Sequence, residues 1–161
     1  MSSIKNKFTL NTVLIFSVFA LITAYFIQYI LGHEPCNLCL IERIPYLAAI
    51  ILISLIFILN KFKKIISLIV GLFFVFGAVV SFYHFGIEQG FFSESLVCDL
   101  GNTDKTTSAQ DLLKQLERKT VSCKDVTFKI FGLSLATFNT IISFIISAIM
   151  LKIAINYDKN K

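Results

Sequence analysis

Four long apolar blocks separated by polar connections dominate the pattern of residues along the chain. They cover residues 10–31, 38–59, 65–87 and 130–151. Each block has roughly the 20 apolar residues that a helix needs to cross a bilayer. Backbone groups in lipid must hydrogen-bond within their own segment, so each block is predicted to be a helix. The pattern therefore predicts an all-α membrane protein, a four-transmembrane-helix bundle that forms a single integral membrane domain over residues 1–161.

Composition and charge agree with insertion into a lipid bilayer. Hydrophobic residues make up 56% of the chain and charged residues only 16%, which is too apolar for a soluble domain of 161 residues. The net charge of +5 does not indicate a nucleic-acid partner, because lysines gather before the first block, between the second and third, and after the fourth. By the positive-inside rule these places are cytoplasmic, and both termini with them. We therefore expect a multi-pass protein of the bacterial cytoplasmic (inner) membrane.

The positions of the cysteines are an independent indication of the same orientation. Cys36 and Cys39 lie in the short connection before the second block, whereas Cys98 and Cys123 lie in a long connection over residues 88–129. With the termini inside, all four cysteines fall on the periplasmic side, where disulfides form and persist. The short connection holds its pair at the membrane surface, and the long second extracytoplasmic loop allows its pair to reach outward.

The Cys36–Cys39 pair is the strongest chemical signal in the sequence. Two thiols three residues apart can cycle between dithiol and disulfide with little movement of the chain. Arg43 follows Cys39 by four residues, so in a continuous helix its guanidinium would lie one turn beyond the sulfur and favour the thiolate. A structural staple or half of a zinc site is the alternative for such a motif alone. His84, near the end of the third block, is either an interfacial hydrogen-bonding residue or a functional group beside the redox pair.

The combined motifs resemble the DsbB family of disulfide bond formation proteins. The resemblance rests on Pro-Cys-x-x-Cys-x-x-x-Arg at the second block, Tyr-His-x-Gly-x-Glu-x-Gly at the end of the third, a cysteine pair in the second outer loop, and Gly-x-Ser after it. It covers nearly the whole chain. One departure is Phe138, which stands where many members of the family have Trp.

This resemblance implies a quinone-dependent protein-disulfide oxidoreductase. A periplasmic thioredoxin-fold oxidase similar to DsbA would attack the loop disulfide and form a mixed disulfide with Cys98. Cys123 would then pass the electrons to Cys36, and Cys39 as a thiolate would donate them to the membrane quinone pool, either ubiquinone or menaquinone. The resemblance also assigns the cofactor contacts, to Cys39, Arg43 and His84.

Three other functions compete with this interpretation. A vitamin K epoxide reductase-like thiol-quinone oxidoreductase would be expected to have its CxxC in a late span, after the loop pair. A metal-binding membrane protein is disfavoured, and no metal site is predicted, because the cysteines are spread over two loops and the chain has 2 histidines. A non-catalytic bundle stapled by disulfides predicts bonds that stay closed when a reduced partner is added. A soluble nicotinamide acceptor is disfavoured because the chain has no Gly-rich dinucleotide fingerprint.

Overall fold

The fold was obtained as a computed structural model that describes residues 2–59, 62–93, 123, 129–130 and 133–156. In chain order its elements are α1 (Ser2–Tyr29), α2 (Asn37–Ile41), α3 (Ile44–Leu59), α4 (Lys63–Glu88), β1 (Lys129–Ile130), β2 (Leu133–Ser134) and α5 (Leu135–Asn156). Within the described part of the chain, four helical stretches are long and apolar enough to cross a membrane: Lys7–Tyr29, Asn37–Leu59, Lys63–Glu88 and Leu135–Asn156. The predicted all-α membrane architecture with four spanning helices is confirmed.

Helix α4 lies at the centre of the bundle. It packs against both α3 and α5, and α1 packs against α3. The middle of the bundle is closed by buried apolar side chains, among them Ile53, Phe74 and Met150. Large apolar side chains such as Phe19 and Phe144 point outward and are mostly exposed, as expected for surfaces that face lipid tails rather than water. The core therefore holds the helices together, and the outer surface suits a bilayer.

Glycines on α4 allow its neighbours to approach closely. A Cβ atom on Gly77 would lie 2.8 Å from the ring of Pro45 on α3, which is closer than two carbon atoms can pack. A Cβ atom on Gly71 would lie 3.0 Å from the side chain of Leu151 on α5. Small residues of this kind are what allow apolar helices to associate in lipid, where no hydrophobic force drives them together.

The second apolar helical stretch, Asn37–Leu59, is interrupted near its N-terminal end. Helix α2 stops at Ile41, Glu42 and Arg43 form a turn, and α3 begins at Ile44. Pro45 is the second residue of α3, where its missing amide hydrogen is tolerated because first-turn amides have no partner within the helix. As a result, the two charged side chains of the turn have partners on different helices, described below.

The last helix begins at Leu135, later than the start expected at residue 130. The preceding residues instead form a short antiparallel hairpin in which Lys129 is paired with Ser134 and Ile130 with Leu133. The Ser134 hydroxyl accepts a hydrogen bond from the Thr137 amide at 3.3 Å, as a helix-capping residue does. This hairpin and cap fix where α5 starts. Most of the second outer loop, including Cys98, lies outside the described residues.

Candidate redox site

The two thiols of the CxxC motif face each other at the start of α2. Cys36 precedes the helix, and its sulfur accepts a hydrogen bond from the Cys39 amide at 3.3 Å. The two sulfur atoms lie 2.8 Å apart, and both cysteines are free thiols. Cys36 is buried, whereas Cys39 is partly exposed. The pair is therefore a dithiol whose sulfurs need to move less than 1 Å to form a bond of about 2.05 Å.

His84 of α4 lies directly against this pair. Its Nε2 atom is 3.6 Å from the sulfur of Cys36, and its Nδ1 atom is 2.7 Å from a carboxylate oxygen of Glu42. A second carboxylate oxygen, from Glu88 one turn further along α4, lies 3.7 Å from Nε2. The imidazole is only 4% exposed. The structure thus brings together three of the residues singled out in the sequence, Cys36, Cys39 and His84.

The surroundings of Cys36 favour its thiolate form. The pKa of its thiol is lowered from 9.0 to about 4. The largest cause is the hydrogen bond from the Cys39 side chain; burial acts in the opposite direction, and His84 contributes a hydrogen bond and electrostatic attraction that lower the pKa further. Cys36 is therefore the thiolate of the reduced pair at neutral pH.

A buried carboxylate and an amide extend the site into the bundle. The second oxygen of Glu42 accepts a hydrogen bond from Asn139 of α5 at 2.7 Å, and the same Asn139 nitrogen donates to Ser81 of α4 at 2.6 Å. Tyr46 of α3 donates to the amide oxygen of Asn139. The sequence analysis did not identify these residues as functional. The available signal was polar side chains inside apolar spans, which are costly in lipid and usually have a role.

Arg43 points away from the histidine, toward α1. It donates a hydrogen bond to Gln28 at 2.7 Å, and its guanidinium lies 5.1 Å from the centre of the Tyr25 ring. The turn between α2 and α3 produces this arrangement, because a continuous helix would have aligned Arg43 with Cys39. The described contacts of the guanidinium therefore hold it at the outer end of α1, with Gln28 as an interhelical partner.

One cysteine of the second outer loop reaches the CxxC pair. Cys123 is 2% exposed and belongs to the same buried cluster as Cys36, Leu38 and Ile87. It is disulfide-bonded. The other loop cysteine, Cys98, is among the residues that are not described. The structure thus places a disulfide-bonded cysteine of the loop in the same buried cluster as Cys36 of the CxxC pair.

The sulfur and nitrogen atoms of Cys36, Cys39 and His84 lie within 4.8 Å of one another, so they could in principle bind a metal ion. Two thiolates on one tetrahedral zinc ion, each about 2.3 Å from the metal, would be about 3.7 Å apart. The observed separation of 2.8 Å is shorter, so a metal would have to push the thiols apart. The geometry suits exchange between dithiol and disulfide better than it suits a metal centre.

The chain is similar to known proteins over nearly its whole length. The model of the family described as disulfide bond formation protein DsbB matches residues 6–153. An uncharacterized protein of Rickettsia prowazekii (strain Madrid E) is 30% identical over 154 residues, which cover 94% of this chain and 89% of the relative. No solved structure matches the chain.

Proposed function

Because the chain belongs to the DsbB family of disulfide bond formation proteins, we propose that it re-oxidises a periplasmic thioredoxin-fold dithiol oxidase and passes the electrons to a membrane quinone. The membership makes it a membrane protein of disulfide bond formation. The choice of a DsbA-like thiol partner and of quinone as the acceptor is the part we propose.

The presence of Cys123 in the same buried cluster as Cys36 is the observation that carries this proposal. In the first step, a thiolate of the reduced oxidase attacks the loop disulfide, forms a mixed disulfide with Cys98, and releases Cys123 as a thiolate. Cys123 then attacks Cys36 of an oxidised Cys36–Cys39 pair, and Cys39 leaves as a thiolate. Each exchange forms one S–S bond and breaks one, so the two electrons move inward to Cys39. A passive staple would not need its sulfur in the same buried cluster as the CxxC pair.

The low pKa of the Cys36 thiol also fits a strongly oxidising pair. A hydrogen-bonded, charge-stabilised thiolate lowers the free energy of the dithiol form relative to the disulfide. The oxidised pair then accepts electrons readily and has to be re-oxidised after every cycle. A membrane-dissolved two-electron acceptor at the same site would supply that re-oxidation.

The residues around Cys39 fit a quinone. The neighbouring side chains of Leu40, Ile44 and Leu47 are about half exposed on the outer surface, so a lipid-soluble ring can approach the partly exposed Cys39 from the bilayer. Arg43 uses one N–H group on Gln28, which leaves other guanidinium donors for a carbonyl oxygen. A quinone supplies a two-electron, two-proton acceptor; the chain would supply Cys39 as the electron donor, with Arg43 and His84 to hold and orient the acceptor.

The same proposal includes an orientation in the membrane. We place both termini in the cytoplasm and the four cysteines on the periplasmic side of the bacterial inner membrane, on the distribution of lysines and the redox chemistry. In this orientation the loop cysteines meet a soluble periplasmic oxidase, while the CxxC pair stays at the edge of the bilayer.

The test is quinone reduction by the purified full-length protein. A reduced thioredoxin-fold oxidase is added together with a short-chain ubiquinone or menaquinone analogue, and the absorbance of the quinone is followed. We expect turnover with at least one analogue, and a loss of about 100-fold or more in Cys39→Ser, since a hydroxyl cannot replace the electron-donating thiolate.

A conservative change on a lipid-facing surface away from the site, Phe19→Leu, is the matched control and is expected to keep its turnover. Quinone reduction that persists in Cys39→Ser would remove Cys39 from the electron path. Loop disulfides that stay closed in the presence of the reduced oxidase would favour a non-catalytic, stapled bundle.

A further inference from the structure

A continuous row of buried polar groups connects the CxxC pair with the interior of the bundle. From the sulfur of Cys36 it passes through His84 and Glu42 to Asn139, over distances of 3.6, 2.7 and 2.7 Å. The four groups come from the outer connection, α4, the α2–α3 turn and α5. An acidic residue within a membrane span is costly and rare, so an arrangement that buries one between three helices requires a reason.

The bond between Glu42 and His84 determines which nitrogen of the imidazole carries a proton. Both oxygens of Glu42 receive hydrogen bonds, one from His84 and one from the Asn139 amide, as expected for an ionised carboxylate that can only accept. The Nδ1 atom of His84 is therefore the donor. In a neutral imidazole the other nitrogen, Nε2, is then an acceptor, and Nε2 is the atom that faces the sulfur of Cys36.

Asn139 can hold the carboxylate in only one way. Its Nδ2 group donates both to Glu42 and to Ser81, while its Oδ1 atom accepts from Tyr46 and, at 3.4 Å, from Ser143. A carboxylate cannot donate, so the nitrogen end of the amide must face Glu42, and the hydroxyl donors fix the oxygen end. The orientation of Glu42, and through it that of His84, is thereby set from α5.

We propose that Cys36, His84 and Glu42 form a proton-transfer triad, in which His84 takes the proton of the Cys36 thiol and Asn139 is the positioning residue that holds Glu42. Other enzymes activate a thiol or hydroxyl nucleophile in the same way, with a histidine as the base and a carboxylate that orients the histidine. The inference deepens the proposed function, on which its role in turnover rests. It assigns a part to Glu42 and Asn139, which the redox chemistry alone does not need.

The proton and electron count of the triad is balanced. When the Cys36–Cys39 dithiol becomes a disulfide, one S–S bond forms, and two electrons and two protons leave the pair. Both electrons and the proton of Cys39 go to the quinone of the proposed function, and the proton of Cys36 goes to His84, from which the reduced acceptor takes its second proton. In the reduced pair at neutral pH the S–H bond of Cys36 is already broken, and its proton lies on Nε2 of His84, which is then an imidazolium between two carboxylates. Glu42 lies 2.7 Å from Nδ1 and Glu88 lies 3.7 Å from Nε2, and the second Glu88 oxygen is buried without a partner. Both carboxylates stabilise that cation.

Each described element that packs against the triad presents a polar group toward it, and few of these groups are charged or titratable. Cys39 of α2 lies beside Cys36, and Glu88 lies beside His84 on α4. Helix α5 contributes the uncharged Asn139, α3 contributes Tyr46 through that amide, and Cys123 does not titrate because it is disulfide-bonded. A change at Glu42 therefore alters the only carboxylate that contacts Nδ1 among the described residues.

The first test is the pH profile of Cys36 alkylation in the reduced full-length protein in detergent, located by peptide mass spectrometry. Glu42→Gln keeps the shape and removes the charge, and we expect the midpoint to rise by at least about one pH unit, which is a tenfold loss of rate below the midpoint. Asn139→Leu keeps the volume and removes the donor, and we expect a smaller rise. Thr140→Val is the matched control, because that hydroxyl bonds only its own helix, at Ala136; its profile is expected to be unchanged.

The second test does not depend on any variant folding at the triad. The chain has 2 histidines, so in a ¹⁵N-histidine-labelled His33→Gln protein only His84 is observed. In the reduced protein at neutral pH, where Cys36 is a thiolate, we expect the nitrogen signals of an imidazolium protonated at both Nδ1 and Nε2. An Nε2 atom without a proton while Cys36 is a thiolate, or alkylation profiles of Glu42→Gln and Asn139→Leu that coincide with the unmodified protein, would overturn the triad. Neither measurement uses an oxidase or a quinone, so failure of quinone turnover with both results as expected would count against the proposed function and not against the triad.

Discussion

The interaction between the two thiols of the CxxC pair leads to a quantitative prediction about Cys36. Its pKa of about 4 implies that Cys36 stays a thiolate down to pH 5, and that the thiolate is lost only as the pH falls through about 4. Between pH 5.5 and 8 its alkylation rate should change by less than about twofold, because the thiolate fraction is already near one. A thiol at the ordinary value of 9.0 would become about 300-fold more reactive over the same range.

Removing the Cys39 side chain should abolish most of the lowering of the Cys36 pKa. The hydrogen bond from the Cys39 side chain is the largest cause of the lowered pKa, and burial alone would raise it, so Cys39→Ala leaves only the contributions of His84 and of the backbone amide of residue 39. We expect the alkylation midpoint of Cys36 to move upward by at least about two pH units. Cys39→Ser, which retains a hydroxyl donor at the same place, should keep most of the lowered value.

The assay is alkylation with iodoacetamide at a series of pH values, quenched in acid and resolved by peptide, with the loop disulfide left intact. Absolute rates are a weaker readout than the shape of the profile, because a thiolate of low pKa is also a weaker nucleophile. A midpoint near 9 in the unmodified protein, or a flat profile in Cys39→Ala, would refute the view that the two thiols share one hydrogen-bonded proton.

Three further predictions test other parts of the structure. Gly77→Ala should lower the free energy of unfolding by about 1 to 3 kcal/mol, seen as a lower Tm in detergent, because its Cβ would lie 2.8 Å from the proline ring of α3. Gln28→Leu removes the hydrogen-bond acceptor of Arg43 and should raise the KM for quinone about tenfold with the Tm unchanged; an unaltered KM would separate Arg43 from quinone binding. When the second thiol of the CxxC motif is replaced by serine, a Cys36–Cys123 disulfide should accumulate and be found in peptides under non-reducing conditions, since both sulfurs share one buried cluster; its absence would contradict a direct exchange between them.

The membrane architecture could be predicted from the sequence because lipid restricts the possible structures. A backbone in lipid has to be helical, so each apolar block corresponds to a spanning helix, and only the ends move. Helix α5 starts later than expected because residues 129–130 pair with residues 133–134, and an apolar Ile130 on a strand looks the same in a sequence as one on a helix. Cys36 and Cys39 are only three positions apart in the chain, so their proximity could be predicted from the sequence, and their sulfur atoms face each other in the structure.

The partners of the thiol pair could be predicted only in part. The contact between His84 and Cys36 joins residues 48 positions apart, and it depends on how α4 packs beside the outer connection. The bond between Glu42 and Asn139 spans 97 positions. Spans that are apolar on every side carry no preferred face, so a sequence pattern cannot say which polar residues meet. The partner of Arg43 adds a second case, because Gln28 lies on α1, 15 positions away, and the sequence did not indicate that the two would pair.

The buried polar row also explains how the helices keep their register. Lipid provides no hydrophobic force between apolar helices, so two spans packed by Ile, Leu and Phe side chains could slide past each other at little cost. The carboxylate of Glu42 prevents this, since it must meet His84 on α4 and Asn139 on α5 at the same time to avoid an unpaired charge in the membrane. A shift of either helix by one residue, about 1.5 Å, would lengthen a 2.7 Å hydrogen bond beyond its useful range. The groups that prepare Cys36 for thiol chemistry are therefore the same groups that align the bundle around it, and a variant that loses Glu42 should lose both the reactivity of Cys36 and the uniqueness of the helix packing.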